Sequence, residues 1–329
     1  MLDRPKVASR ERFIVRNAAR RGPSFAEEVR EGLTSTPKSI PPRYFYDALG
    51  SALFAAICEL PEYTLTRAEA AILRASAATM VRGFGAPARI VELGSGDCRK
   101  SRILLEAVLE RQPALTFIPM DVDDGVLESS ARELLSSMPA LTIEAVWGDF
   151  RDVAEILPTI HDRTVVLFLG STIGNLDPDS AAALLREVRK ILIPGDALLL
   201  GADLRKPKAI VEPAYDDALG VTAAFNLNLL ARINRELGGH FDLSKFAHRA
   251  FFNEEKSRIE MHLVSRERQR VSVNGLMVDL AEGETIHTEN SYKYTDADLQ
   301  KLGEAGGFSL AQRWRDADNL FTDVLLLAH

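Results

Sequence analysis

Cysteine is scarce: Cys58 and Cys98 are the two thiols in 329 residues. Two thiols build no disulfide framework, and no Cys-x-x-Cys spacing is present to ligate a metal. No metal is therefore expected, and a reducing, cytoplasmic setting is. No apolar run reaches the roughly 18 residues that a membrane-spanning helix needs, so no membrane span is expected. The Arg-rich first 21 residues lack an apolar stretch of the secretory kind and read as a solvated tail leading into a helix. Basic charge is short as well. A net charge of −7 speaks against a nucleic-acid partner, because a phosphate track asks for a basic face. Internal repeats and low-complexity stretches are absent. The 46% hydrophobic and 26% charged content is ordinary for a globular chain. The length allows two domains, or one core domain with a large insertion.

What the chain does have is organised around Arg89-Ile90-Val91-Glu92-Leu93-Gly94-Ser95-Gly96-Asp97. An apolar run with β-branched Ile90 and Val91 ends in two glycines, the form of a buried parallel strand entering a tight turn. From Lys100 onward, Ile103, Leu104, Ala107 and Val108 fall on one face of a helix. Strand, glycine turn and helix open a nucleotide-cofactor site: glycine lets backbone approach a ligand, and the helix start offers free N–H groups. A dinucleotide fingerprint needs a third glycine three residues after the second, where Arg99 stands. Glu92, two residues before Gly94, instead fits the pattern of S-adenosylmethionine (SAM)-dependent methyltransferases. Two later strand ends add to it. Residues 115–120 form an apolar strand that stops at Asp121, placed to accept from both ribose hydroxyls. Residues 141–147 run into Gly148-Asp149-Phe150, where a carboxylate can take an adenine amine and the ring can pack on the base. Cys98 reads as a small turn residue, since no partner base for a nucleophile is evident.

Residues 24–34 read as a helix capped by Ser24. The proline-dense stretch from Thr36 to Arg43 is a rigid extended segment that delivers Tyr44-Phe45-Tyr46-Asp47. Thr66-Arg67-Ala68-Glu69 has the spacing of a capping box and predicts a helix to about Val81. Strands are expected over 164–169 and 197–200, with a helix opened by Asp177-Pro178 between them. The first of these strands leaves through Gly170-Ser171-Thr172-Ile173-Gly174-Asn175, at the carboxyl edge of the sheet, where ligands bind. Residues 205–284 then change character, with helix over 209–235, alternation at Ile259-Glu260-Met261-His262-Leu263 and an Asn274-Gly275 hairpin turn. That stretch is too long for a crossover. The expected fold is α/β: a Rossmann-like class I methyltransferase sheet with an inserted α+β substrate-binding domain. Residues 66–204 with 285–329 form the core, and 1–65 with 205–284 the substrate domain.

Within the strand expected from residue 285, Glu289 and Ser291 are two apart and share a face. A carboxylate and a hydroxyl side by side can hold an imidazole, one accepting a ring N–H and the other partnering the second nitrogen. Met261 and Phe54 can wall such a ring.

These stretches resemble the histidine Nα-methyltransferases of ergothioneine biosynthesis. The carrying motifs include Phe45-Tyr46-Asp47-Ala48-Leu49-Gly50-Ser51, Leu60-Pro61-Glu62-Tyr63, the Gly170–Asn175 run, Gly220-Val221-Thr222-Ala223-Ala224-Phe225-Asn226, and Thr288-Glu289 with Ser291. The resemblance runs over about 24–329. It implies that Gly94, Lys100, Asp121, Asp149 and Phe150 bind SAM as co-substrate. It implies that Tyr63, Asn175 and Tyr215 hold the carboxylate and amine of the substrate, L-histidine, with Tyr46 near the amine. Glu289 and Ser291 would read the imidazole, and the product would carry up to three methyl groups. Departures from the family pattern fall at Asp97, Cys98, Arg99 and Asn290. Tyr46 and Asn175 are the expected catalytic pair, since a hydroxyl and an amide oxygen orient an amine lone pair without a countercharge that favours ammonium. A monomer is expected. Two other readings stay open: a methyltransferase of the same fold acting on another small amine, and an idle SAM-sensing protein.

Overall fold

A computed structural model describes residues 12–18, 23–159 and 161–329. The chain opens with β1 (Phe13–Asn17), α1 (Phe25–Thr34), the two-residue β2 (Lys38–Ser39), α2 (Ala48–Cys58) and α3 (Leu65–Phe84). Strand and helix then alternate through β3 (Arg89–Leu93), α4 (Arg99–Leu109), β4 (Leu115–Asp121), α5 (Asp124–Ser137), β5 (Leu141–Trp147), α6 (Val153–Ile156), β6 (Thr164–Phe168), α7 (Pro178–Lys190) and β7 (Ala197–Asp203). The segment after β7 carries α8 (Lys208–Val211), α9 (Val221–Leu237), β8 (Phe246–Asn253), β9 (Arg258–Ser265), β10 (Gln269–Val273), β11 (Leu276–Leu280) and β12 (Thr285–Tyr292). The chain closes with α10 (Asp296–Gly306), β13 (Phe308–Arg315) and β14 (Phe321–Ala328).

Eight strands form one sheet in the order β1-β5-β4-β3-β6-β7-β14-β13. The pairs from β1 to β7 are parallel, and β14 runs antiparallel between β7 and β13. Every residue of β3, β6 and β7 is buried, as near-continuous apolar runs require when helices cover both faces. Helices α3, α4 and α5 cover one face, and that core runs on into the second lobe. Helices α6, α7 and α10 cover the other. Strand order reverses beside β3, between β4 and β6, so the crevice beyond those strand tips is the switch point where such sheets bind ligands.

The second lobe is a four-stranded sheet, β2-β12-β9-β8, with α9 packed on β8, β9 and α2. The Asn274-Gly275 turn joins β10 to β11 as expected, both residues having positive φ.

Three expectations change. The strand over 285–292 was placed with the core sheet, but β12 pairs with β9 and β2. The chain rejoins the large sheet only at β13, because β12 supplies the partner that β9 needs on its free side. Part of the expected solvated tail is a strand: Phe13–Asn17, largely exposed, adds β1 to the open edge of β5; residues 1–11 and 19–21 of that tail lie outside the described residues. The Thr66–Glu69 capping box is not formed. Helix α3 starts one residue before Thr66, its N-cap is Thr64 without a side-chain bond, and Glu69 points into the core. The boxes that do form are Ser24 with Glu27 and Thr295 with Asp298.

Candidate active site

At the tip of β3, Gly94 and Gly96 take left-handed φ values of +67° and +50°, which side chains resist. Asp121 ends β4 beside them. Its carboxylate accepts the Gly96 N–H at 2.8 Å and the Asp123 N–H at 3.1 Å, so the glycine turn and the acidic strand tip form one unit. Burial raises the Asp121 carboxyl above its ordinary range against the pull of those two amides. Phe150 closes the same corner: a β-carbon on Gly94 would meet its ring at 3.8 Å, and the ring leans on Phe168. Asp149 is turned to Arg151, whose backbone N–H and guanidinium both bond it. Burial works against its ionisation, but those bonds win and hold the carboxyl below its usual value. Cys98 is buried at the αL turn before α4, and burial pushes its thiol well up, so it is inert there.

Lys100 points inward from the first turn of α4. Its Nζ lies 2.5 Å from Glu69, which is fully buried and also accepts the Gly170 N–H at 2.8 and 3.0 Å. Burial opposes the Lys100 charge, and the Glu69 carboxylate outweighs it and raises the ammonium's pKa. Glu69 thereby ties the cofactor turn to the loop leaving β6. Gly201 makes room for it, since a β-carbon there would sit 2.1 Å from the Glu69 carboxylate. Asp323 of β14 faces the same group, and its oxygens bond no described residue. Burial, then the charge of Glu69, lift its carboxyl well above the ordinary range. Glu92 is lifted by burial to about 8.

The residues expected at the substrate end line one cavity: Tyr46, Phe54, Tyr63, Asn175, Tyr215, Met261, Glu289 and Ser291. They come from separate segments. Tyr46 follows a short 3-10 turn over Pro42–Phe45, and its ring meets Phe54 and Phe225 edge-on at 5.7 and 5.9 Å. Asp47 fixes that segment by capping α2 through the Gly50 N–H and by accepting from Asn228 of α9. Tyr63 lies between α2 and α3 with its ring edge-on to Tyr215 at 6.0 Å. Asn175 ends the 3-10 turn Thr172–Asn175 after β6. Met261 faces Glu289 across the β9–β12 ladder. A register shift between His287 and Glu289 aims Glu289 and Ser291 into the cavity while His287 stays opposite His262 on the outer face. Burial pushes the Glu289 carboxyl up to about 7, against the charge of Lys293.

Ser291, expected to partner a ring nitrogen, already has two protein partners: its Oγ is 2.7 Å from the Tyr215 hydroxyl and 2.8 Å from Lys293 Nζ. Lys293 is fully buried and also donates to Tyr215 at 2.9 Å. Its ammonium forms an ion pair with Asp203 at 2.8 Å, and Lys206 pairs with the other Asp203 oxygen. Neither Lys293 nor Asp203 was singled out in the sequence. The available signal was alternation: Lys293 follows Glu289 and Ser291 at the same two-residue step.

On the far side of the second sheet, Glu260, His262 and His287 bring ligand-type atoms within 4.8 Å of one another. There Arg258 and Asn253 already fill Glu260 Oε1, and the group is outside the cavity. Among the described residues no helix is long and apolar enough to cross a membrane.

The lobes are stitched beside the cofactor corner by Ser51 of α2, whose hydroxyl donates to Asp123 at 2.7 Å.

This arrangement has named relatives. Histidine N-alpha-methyltransferase of Mycolicibacterium smegmatis is 48% identical over 86% of this chain and 88% of its own length. The protein of that name from Mycobacterium tuberculosis is 45% identical over 89% of this chain and 91% of its own. Ergothioneine biosynthesis protein 1 of Schizosaccharomyces pombe is 28% identical over 84% of this chain and 37% of its own length. The SAM-dependent, histidine-specific methyltransferase family matches residues 25–328. With the parallel sheet, the antiparallel β14 and the paired sites described above, the chain belongs to the histidine-specific, SAM-dependent methyltransferase family.

Proposed function

We propose that this chain transfers methyl groups from SAM to the α-amine of L-histidine, up to the trimethyl betaine hercynine, as a step of ergothioneine biosynthesis. The observation that carries the reading is the single cavity that gathers a ring-reading pair, Glu289 and Ser291, with Tyr46, Tyr63, Asn175 and Tyr215.

In this reading Gly94, Lys100, Asp121, Asp149 and Phe150 hold SAM. The fit rests on a turn without side chains at Gly94 and Gly96, a carboxylate at the β4 tip and an aromatic ring over Gly94. SAM, when bound, supplies a methyl group on a sulfonium. Charge moves from sulfur to nitrogen in the displacement, so the protein's task is alignment more than base catalysis. The amine attacks only when neutral. Tyr46 keeps its proton, because burial, reinforced by Glu289, lifts its hydroxyl well above the ordinary phenol value. It and Asn175 orient the lone pair without a countercharge that would favour ammonium. Tyr63 and Tyr215 take the amino-acid end. Glu289 and Ser291 take the ring, with Met261 against it. Protons released between rounds leave to solvent.

The division of labour follows the two sheets. Residues 66–204 with the closing 294–329 serve the cofactor, and the second lobe, now including β12, serves the amino acid. The protein acts as a monomer in the cytoplasm, which size-exclusion chromatography and fractionation test.

Mass spectrometry of the purified protein with labelled SAM and the twenty amino acids is the direct test. Methylated histidine is the expected product. Label on another amine would favour the small-amine alternative, and SAM binding without any product would favour the sensor.

A further inference from the structure

Lys293, directly after β12, is a fully buried cation, and its surroundings decide what it does. An ammonium has three protons and no lone pair. One proton is given to Tyr215, one to Ser291, and the third faces Asp203. Tyr215 and Ser291 both line the cavity, whereas Lys293 stands behind them. A buried ammonium is costly unless paired, and here Asp203 outweighs the burial and keeps it charged. Asp203 is already paired with Lys206. Burial lowers the Lys206 pKa, and Asp316 also faces that ammonium, so Lys293 is the cation that stands directly behind the ring-reading hydroxyl.

We propose that Lys293 is a positioning residue that makes the site take the histidine ring in its neutral form. This rests on the reading of Glu289 and Ser291 as the pair that holds the ring. Two effects act together. Lys293 occupies one lone pair on each hydroxyl; with Tyr215 giving its proton to Ser291 in their 2.7 Å bond, Ser291 keeps its own proton for the ring. A donating Ser291 needs a bare ring nitrogen, and an imidazolium has none. The Lys293 ammonium behind Ser291 opposes a second positive charge on the ring. Glu289 is the one group of the cavity lining that pulls the other way. The remaining titratable groups facing the cavity are Tyr46, Tyr63 and Tyr215, and burial raises all three hydroxyls, so they stay neutral. Lys293 thus balances Glu289: the carboxylate accepts one ring N–H without drawing a proton onto the second nitrogen.

The substitution Lys293→Met tests this and leaves Asp203 paired with Lys206, so no buried carboxylate is stranded. The protein is saturated with S-adenosylhomocysteine, and ring-15N histidine is bound and followed by NMR near neutral pH. In the unaltered protein the two ring nitrogens are expected to differ, one protonated and one bare. In Lys293→Met the ring is expected to become imidazolium at the same pH. Histidine affinity measured by calorimetry is expected to fall about tenfold or more, with S-adenosylhomocysteine affinity within about twofold. Ser291→Ala is run alongside. If Ser291→Ala weakens histidine binding but Lys293→Met binds a neutral ring with unchanged affinity, the Lys293 role is overturned and the site reading stands. If Ser291→Ala binds histidine normally, the site reading fails and takes this inference with it. Imidazolium in the unaltered protein, or equal loss of both ligands in Lys293→Met, also overturns it.

Discussion

The glycine-turn corner proposed for the cofactor and the cavity proposed for the amino acid are built on opposite plans. At the corner the carboxylates are held by sequence neighbours or by adjacent strand tips, Asp121 by Gly96 and Asp123, Asp149 by Arg151, and only Lys100 among the named groups reaches to a distant partner, Glu69. The cavity draws on six stretches from Tyr46 to Ser291, and its charges are balanced from behind by Asp203, Lys206 and Lys293. A site of the first kind can be read as a motif. A site of the second kind is a product of packing.

The largest expected effect tests the cavity's side of that contrast. A site that hydrogen-bonds a buried ring rejects an analogue without ring nitrogens by as much as ~10⁴–10⁵. Phenylalanine and leucine should therefore be very poor substrates beside histidine in competition assays. Equal turnover of phenylalanine and histidine would mean that Glu289 and Ser291 do not read the ring.

The second breaks the corner. Asp121→Ala removes a charged acceptor, with contacts worth about 1.5–3 kcal/mol, and also strands the Gly96 and Asp123 amides. S-adenosylhomocysteine should bind at least about tenfold more weakly by calorimetry in a protein whose circular dichroism is unchanged. Unchanged affinity would move the cofactor elsewhere.

The third concerns Glu289 in the ligand-free protein. Its carboxyl titrates at about 7 when folded against 4.5 as the reference, so the folded state binds the extra proton between those values. Stability should accordingly be greatest below that window and fall as pH rises through it, by about 3 kcal/mol for this group. Glu289→Gln should lose that part of the slope in urea titrations and be the more stable protein above pH 7. A slope identical to that of the unaltered protein would contradict the buried, unpaired carboxylate.

A smaller, selective effect separates the two regions. Asn175→Ala and Tyr63→Phe should weaken histidine by about 1–3 kcal/mol while leaving S-adenosylhomocysteine nearly unaffected. A parallel loss of both ligands would merge the sites. Ser51→Ala is the mildest change. It removes one bond to Asp123 across the lobes and should cost about 1 kcal/mol of stability in urea titrations. No change would show that the seam does not depend on this bond.

Legibility followed the same division. Strands β3, β4 and β5 and their tips were plain, because apolar runs ending in Gly94, Asp121 and Gly148-Asp149 carry their own punctuation. Helix starts were less safe. Thr66–Glu69 has the spacing of a capping box, but Glu69 is taken by Lys100 and the Gly170 amide, which give a buried carboxylate more than a helix end does. The edge strand β1 was hidden because its four exposed residues give no alternation to read. Asp323 sits among the apolar residues of β14, and its neighbours Glu69 and Lys100, distant in the chain, are what make it unusual.

By itself the sequence determined the parallel sheet, the glycine turn, the acidic strand tips and the pairing of Glu289 with Ser291 on one strand face. Each of these is a local matter of periodicity, turn conformation or side-chain type. Tertiary structure alone decided that β12 belongs to the second sheet, that a register shift aims Glu289 and Ser291 inward, and that Lys293 stands behind Ser291 and Tyr215. The reason is physical. Strand partners and buried charge pairs depend on which distant groups share one desolvated space, and no spacing along the chain records that.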